Sequence, residues 1–147
     1  MNKEYGLVGS SKVRVLVVED FASFREFVCS TIAGNLELLV VGESSDGMDA
    51  VQKAKELKPD LILLDIGLPT QNGIEAARQI RELSPESRII FVTQESSSDV
   101  VQEALNLGAQ GYVLKTHAAQ DLLAAVEAVS LGNQFVSDPL RRISAPD

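Results

Sequence analysis

Acidic side chains follow directly on two of the most apolar runs in the chain. Val13-Arg14-Val15-Leu16-Val17-Val18 leads into Glu19-Asp20, and Leu61-Ile62-Leu63-Leu64 leads into Asp65. Runs this apolar read as strands covered on both faces. Carboxylates at their C-terminal ends stand at the carboxyl edge of the sheet, where open α/β sheets bind ligands. Three such anions in one small area repel one another and raise one another's pKa values. Either a proton is retained or a cation moves in. Hard oxygen ligands on short side chains suit Mg²⁺, which takes one or two carboxylates and keeps several waters. A cation there neutralises charge on a transferring phosphoryl group, and aspartate is a known nucleophile that forms acyl phosphates.

Further polar residues end the other apolar runs. Arg88-Ile89-Ile90-Phe91-Val92 reaches Thr93, and Gly111-Tyr112-Val113-Leu114 reaches Lys115. Helical spacing fills the intervals. Phe24, Phe27, Val28 and Ile32 share one face after the first strand, and Gly34-Asn35 ends that helix. A second strand spans Leu38–Gly42, with a turn and helix start at Asp46-Gly47 and a stop at Pro59. Ile74, Ala77, Ile80 and Leu83 form the third stripe, Val100, Val101, Ala104 and Leu105 the fourth, and Leu122, Ala125, Val126 and Val129 the fifth. Five β-α repeats in strict alternation predict an α/β fold: a doubly wound, flavodoxin-like (βα)5 unit around a five-stranded parallel sheet.

Composition sets the outer limits. The 147 residues suffice for one domain with a real core. Hydrophobic content of 45% with only 5% aromatic predicts an aliphatic core. A net charge of -8 argues against broad nucleic-acid binding, which needs clustered Lys and Arg. Cys29 is the single cysteine, so an internal disulfide is excluded and a core-filling role is expected. No apolar stretch approaches a membrane span, and no signal peptide is evident, so a cytoplasmic protein is expected. Residues 1–11 are expected to be a flexible N-terminal tail, 12–136 the folded domain, and 137–147 a C-terminal tail or the start of a linker, with Arg141-Arg142 solvated. His117, the lone histidine, is expected at a helix start facing solvent.

The ordered set Glu19-Asp20, Asp65, Thr93 and Lys115, one group per strand end, resembles the receiver domain of two-component response regulators. The resemblance covers about residues 12–136. Asp65-Ile66-Gly67-Leu68-Pro69, Asn72-Gly73-Ile74-Glu75, Leu107-Gly108-Ala109-Gln110-Gly111-Tyr112 and Gly132-Asn133-Gln134-Phe135-Val136 resemble the NarL/FixJ class. The resemblance implies the CheY-like strand order 2-1-3-4-5 and a phosphoryl group accepted on Asp65 from a sensor histidine kinase. It implies Mg²⁺ held by Asp20, Asp65 and the Gly67 carbonyl, with Glu19 nearby or acting through water. Lys115 would pair with the carboxylate or a phosphoryl oxygen, and Thr93 would donate its hydroxyl. Tyr112 matches the aromatic that changes rotamer with that hydroxyl. A homodimer through a helix face and control of transcription are also implied, with DNA contacted only through an output domain absent from this chain.

Some positions depart from the pattern. Thr116 stands where many receivers carry Pro, so a cis peptide after Lys115 is in question. Gln94 follows Thr93 where a smaller residue is common. Gly67 and Glu95 flank the expected path of attacking water and are expected to set the lifetime of the phosphoryl group. The rival enzymatic reading, a phosphohydrolase of the haloacid-dehalogenase kind, wants an Asp two residues after the nucleophile. Gly67 and Ala22 occupy those places. A flavodoxin-like cofactor binder wants a Gly- or Ser/Thr-rich first turn, and Glu19-Asp20-Phe21-Ala22-Ser23 is not one.

Overall fold

The computed structural model describes residues 12–141. The expected tail at 1–11, Arg142 and the rest of the C-terminal segment to 147 lie outside the described residues. Strands and helices alternate: β1 Val13–Val18, α1 Ala22–Ala33, β2 Leu38–Ser44, α2 Gly47–Leu57, β3 Leu61–Leu64, α3 Gly73–Leu83, β4 Arg88–Thr93, α4 Ser98–Asn106, β5 Gly111–Leu114, α5 Ala118–Ser130 and β6 Phe135–Val136. The sheet runs β2-β1-β3-β4-β5-β6, with every adjacent pair parallel. The first five strands take the expected order.

Two differences from expectation have simple causes. A sixth strand extends the sheet, too short to leave any alternation in the sequence. It forms because Phe135 N donates to Gln110 O and Ser137 N to Tyr112 O, each at 3.0 Å, which satisfies the outer edge of β5. Packed structure therefore continues past residue 136: Ser137 and Leu140 are buried, and Arg141 Nε donates to Val136 O at 3.0 Å. β2 also runs on to Ser44. Its register against β1 jumps from Val15↔Val40 to Leu16↔Gly42, so Val41 is an extra residue and the strand regains pairing beyond it.

Alternation along each strand splits the core in two. Leu16, Val18, Ile62, Leu64, Ile89, Phe91, Tyr112 and Leu114 face the side covered by α2, α3 and α4. Val15, Val17, Leu61, Leu63, Ile90, Val92 and Val113 face α1 and α5. Each fully buried aliphatic side chain contributes about 2 kcal/mol. Of the α1 stripe, Val28 and Ile32 are buried, whereas Phe27 is 38% exposed beside the ring of Phe24. Cys29 is half-buried, and burial with the nearby Glu43 pushes its thiol up to about 11, which keeps it in the unreactive thiol form.

Helix starts follow the polar punctuation. Asp46 accepts from Asp49 N at 2.8 Å, Asn72 from Glu75 N at 3.0 Å and Ser97 from Val100 N at 3.4 Å. Such caps are worth about 1 kcal/mol each. The α2 cap also holds the loop after β3. Gly47 N donates to Pro69 O, Met48 N to Thr70 Oγ1, and Thr70 Oγ1 to Asp46 Oδ1. Those bonds hold Thr70 at a φ of 64°, in the left-handed region. On the other side Gly73 N donates to Ile66 O at 2.7 Å, and Ile66 and Leu68 are buried, so the loop is fixed at both ends around Gly67.

The approach at Gly73 is closer than any side chain tolerates: an added Cβ would lie 2.0 Å from Asp65 O, whereas one on Gly67 meets nothing within 4 Å. Urea denaturation of Gly73→Ala is expected to show a loss of about 3 kcal/mol. The same measurement on Gly67→Ala should stay within about 0.5 kcal/mol of the parent.

Candidate functional site

The alternation that sorts the core also sorts the residues at the strand ends. Glu19, Asp65 and Lys115 lie one step beyond Val18, Leu64 and Leu114, which face α2–α4. All three therefore project on the α1–α5 side. Thr93 lies two steps beyond Phe91 and falls on the opposite side, with Tyr112. The geometry follows this parity. Lys115 Nζ is 2.9 Å from Glu19 Oε1, 3.1 Å from Glu19 Oε2 and 3.0 Å from Asp65 Oδ2. Its ammonium lies 4.9 Å from the centroid of the Phe24 ring, a cation–π contact.

The carboxylates are held as firmly as the ammonium. Asp65 Oδ1 accepts from Ile66 N at 2.7 Å, and Asp65 N donates to Val18 O at 3.1 Å, tying β3 to β1 at the site. Glu19 Oε2 accepts from Phe21 N at 3.0 Å. The Glu19 main chain is pinned from both sides, its N–H donating to Ser44 O and its carbonyl accepting from Arg25 Nη1. Glu19 and Asp65 are buried, while Asp20 is exposed at the rim. One carboxylate oxygen from each of the three lies within 4.8 Å of the others.

Burial is the main reason the Glu19 carboxyl titrates above its ordinary range, with Asp65 adding to the rise and Lys115 and Phe21 N opposing it. For Lys115 the largest single influence, burial, favours the neutral amine. Hydrogen bonds to Glu19 and Asp65 together outweigh it, so the net direction is upward and the ammonium persists.

These groups open onto a cavity of about 230 Å³ lined by Glu19, Asp20, Phe21, Asp65, Gly67, Thr93, Gln94, Glu95 and Lys115. Glu19, Asp20, Asp65, Gly67, Thr93 and Lys115 thus meet in one place, with Tyr112 outside the lining. Thr93 is buried at the inner wall and its Oγ1 accepts from Glu95 N at 3.3 Å. Tyr112, fully buried, donates its hydroxyl to Glu95 O at 2.8 Å. Burial, with Glu95 and Asp65 adding, pushes the phenol far above its usual range, so it remains a donor. Gln94 and Glu95 are exposed at the mouth. Among the described residues no peptide is cis, and the chain after Lys115 turns directly into a single 3₁₀ turn, Lys115–His117, ahead of α5. His117 is half-buried rather than fully solvent-facing; its Nδ1 lies 3.1 Å from Thr116 Oγ1, and it does not line the cavity.

Sequence reasoning missed Glu19 as the first partner of Lys115, Phe24 beneath the ammonium, and Ile66 N as the clamp on Asp65. The first was recoverable, since counting residues from the core-facing positions puts both strand ends on one side. The others depend on the path of the chain after the strands.

No helix among the described residues is long and apolar enough to cross a membrane. The family model of the response regulator receiver domain matches residues 15–127. The transcriptional regulatory protein DegU of Brevibacillus brevis is 33% identical over 129 residues, which are 88% of this chain and 55% of that protein. The response regulator protein VraR of Staphylococcus aureus is 37% identical over 120 residues, 82% of this chain and 57% of that protein. The chain thus spans about half the length of these relatives. A two-component response regulator of the LuxR family from Aurantimonas sp. SI85-9A1 superposes with a TM-score of 0.85 at 32% identity, covering 90% of this chain and 94% of that one. The signal receiver domain of the putative response regulator NarL from Mycobacterium tuberculosis superposes with a TM-score of 0.78 at 32% identity, covering 83% and 98%. The chain belongs to the response regulator receiver domain family, among regulators of the NarL/FixJ class.

Proposed function

We propose that this two-component receiver accepts a phosphoryl group on Asp65 from the phosphohistidine of a sensor histidine kinase. The observation that carries the reading is the Lys115 ammonium bridging Asp65 and Glu19 at the floor of an open acidic cavity, with the Thr93 hydroxyl on its wall. In the step, an Asp65 carboxylate oxygen attacks phosphorus. The P–O bond forms as the P–N bond to imidazole breaks, and the imidazole nitrogen leaves with the electron pair and takes up a proton. Asp65 is held by Ile66 N and Lys115, so little reorganisation is left to the moment of reaction.

The donor set fits a divalent cation. It is made of hard oxygens only, close enough to share one ion, with the exposed Asp20 giving access from solvent. Asp20, Asp65 and the Gly67 carbonyl would hold Mg²⁺, with Glu19 nearby or through water. When bound, the ion neutralises charge on the phosphoryl oxygens. Lys115 and Thr93 are the chain's own donors toward those oxygens. Thr93 Oγ1 can donate outward while still accepting from Glu95 N.

The protein is a signalling component rather than a classical enzyme. Limited self-phosphorylation from small phosphodonors and autodephosphorylation accompany the proposed role. Phosphorylation biases a two-state equilibrium, and a shift from mostly inactive to mostly active takes about 5 kcal/mol of differential stabilisation. Two or three charge-assisted hydrogen bonds are of that size. The proposed output is transcription, in a cytoplasmic pathway, with homodimerisation as an accompanying partner mode.

Incubation with acetyl phosphate and Mg²⁺ followed by intact-mass measurement should give a single phosphoryl adduct on the parent and none on Asp65→Asn. An adduct of equal yield on that variant would refute the assignment. Mg²⁺ at tenfold excess over its dissociation constant should stabilise the fold by about 1.4 kcal/mol. A melting temperature indifferent to millimolar Mg²⁺ would remove the ion from the account.

Replacing the ammonium exposes the cost of the carboxylates. Lys115→Met leaves Glu19 and Asp65 without their shared cation, and chemical denaturation at pH 8 without Mg²⁺ should show a loss of about 3 kcal/mol. Glu19, already raised by burial, rises further in this variant, so the folded state takes up a proton more readily than the unfolded chain. Stability relative to the parent is therefore lowest at high pH, and the deficit should shrink as the pH falls from 8 to 5. A deficit that grows on acidification would contradict the charge-pairing account.

A further inference from the structure

Two chains of contacts, part hydrogen bond and part backbone, lead away from the acidic cavity, one from Thr93 and one from Lys115, which lie on opposite faces of the sheet. One starts at Thr93: its Oγ1 accepts from Glu95 N, Glu95 O accepts from the Tyr112 hydroxyl, and Tyr112 O accepts from Ser137 N at 3.0 Å. The other starts at Lys115, whose ammonium holds Asp65 and Glu19. Its neighbour Leu114 donates its backbone N–H to Ser137 Oγ at 3.1 Å. Both chains end on one residue. Ser137 is 0% exposed, and its hydroxyl also donates to Asp121 Oδ2 in the first turn of α5 at 2.8 Å.

The placement is more than packing requires. β6 pairs with β5 only at Gly111↔Phe135 and Tyr112↔Val136. Beyond Tyr112 the ladder would end, leaving Leu114 N without a strand partner. The Ser137 hydroxyl replaces that missing bond, so the last backbone donor before Lys115 is satisfied by the C-terminal segment. A buried hydroxyl used as donor and acceptor at once has one geometry that satisfies both. A shift of β5 at Leu114, or of the Tyr112 carbonyl, therefore breaks a bond unless Ser137 moves too. Leu140 is buried in the same core cluster as Tyr112, and Leu140 N donates to Ser137 O, so residues 137–140 travel as a unit.

We propose that Ser137 is the convergence point of the switch: it joins the Thr93–Tyr112 and Lys115 arms and makes the segment Phe135–Arg141 the element that reports the state of the site. The proposal rests on Asp65 as phosphoacceptor. By reciprocity, whatever engages Phe135–Arg141 alters the affinity of the site for a phosphoryl mimic by the same factor.

Amide hydrogen exchange of the whole chain with and without beryllofluoride and Mg²⁺ tests this. In the parent, the peptide covering Phe135–Arg141 should change its exchange rate by at least about fivefold, the lower end of ordinary allosteric coupling. In Ser137→Ala that difference should vanish, although acetyl phosphate still places an adduct on Asp65 by intact mass. Asp121→Asn keeps the volume and weakens the charge-assisted bond, and should leave a reduced difference. A parent peptide indifferent to beryllofluoride, or a difference of full size in both variants, overturns the proposal while leaving the phosphoacceptor reading intact. A parent without any adduct overturns both.

Discussion

The site exists because one ammonium lies between two buried carboxylates. Glu19 and Asp65 are each almost completely out of water, and burying a carboxylate is costly unless it is paired and hydrogen-bonded. Lys115 supplies the pairing from the far end of β5, reaching both at hydrogen-bond distance with its ammonium over the Phe24 ring. A compact charge on a flexible stem suits this position, because it can lean toward whichever oxygen carries more charge. Asp20 needs no such partner, since it faces solvent. The same arrangement underlies the proposed divalent cation and phosphoryl group. Three carboxyl groups converge on a single ammonium, and an all-oxygen donor set of that kind is what a hard cation would answer.

Three strands carry this interaction, and the spacing between strands makes it possible. β1 and β3 are neighbours, so Glu19 and Asp65 stand side by side without any loop having to bring them together. β5 lies two places further on, beyond β4. A lysine is long enough to cross that gap, whereas an aspartate or serine at the same position is not. Thr93 on the intervening β4 falls on the other face by parity, which separates the hydroxyl donor from the ammonium donor. A phosphoryl group on Asp65 would thus be contacted from two sides of the sheet by elements belonging to two different core layers. The loop after β3 has to be rigid for this to work, and the close backbone approach at Gly73 together with the Asp46–Thr70 clamp makes it so.

Most of the architecture was legible in the sequence, because buried parallel strands leave continuous apolar runs and the amphipathic helices leave a 3.6-residue stripe. The strand ends could be read for the same reason: a charged residue closing such a run has few places to go except the sheet edge. β6 could not be read, because its existence depends on the unpaired edge of β5 and not on any preference of Phe135 and Val136. Nor could the boundary at Val136 be placed. Ser137 and Leu140 look like linker residues by composition, and only the available donors and acceptors of β5 and α5 make them part of the core. Phe27 was assigned inward by its spacing, yet it sits at the margin of the stripe, where the ring of Phe24 already covers the sheet.

The two-carboxylate grip of Lys115 also constrains how such a site can switch. In the present arrangement Asp65 Oδ2 is a full charge partner at 3.0 Å. Esterifying either oxygen of Asp65 with a phosphoryl group removes the carboxylate charge and places more charge one bond further out, on oxygens in the cavity. The ammonium then has Glu19 behind it and the stronger acceptor in front. It cannot remain where it is and keep both interactions at full strength, so once its stem has leaned as far as it can, its backbone is pulled outward or Glu19 is released. Glu19 is pinned through its main chain to Ser44 and Arg25 and through its carboxylate to Phe21 N, leaving it little freedom to follow. The yielding element is then the end of β5, at Leu114 and Lys115, where pairing with β4 still reaches Leu114 but pairing with β6 has ended and a single serine hydroxyl takes its place.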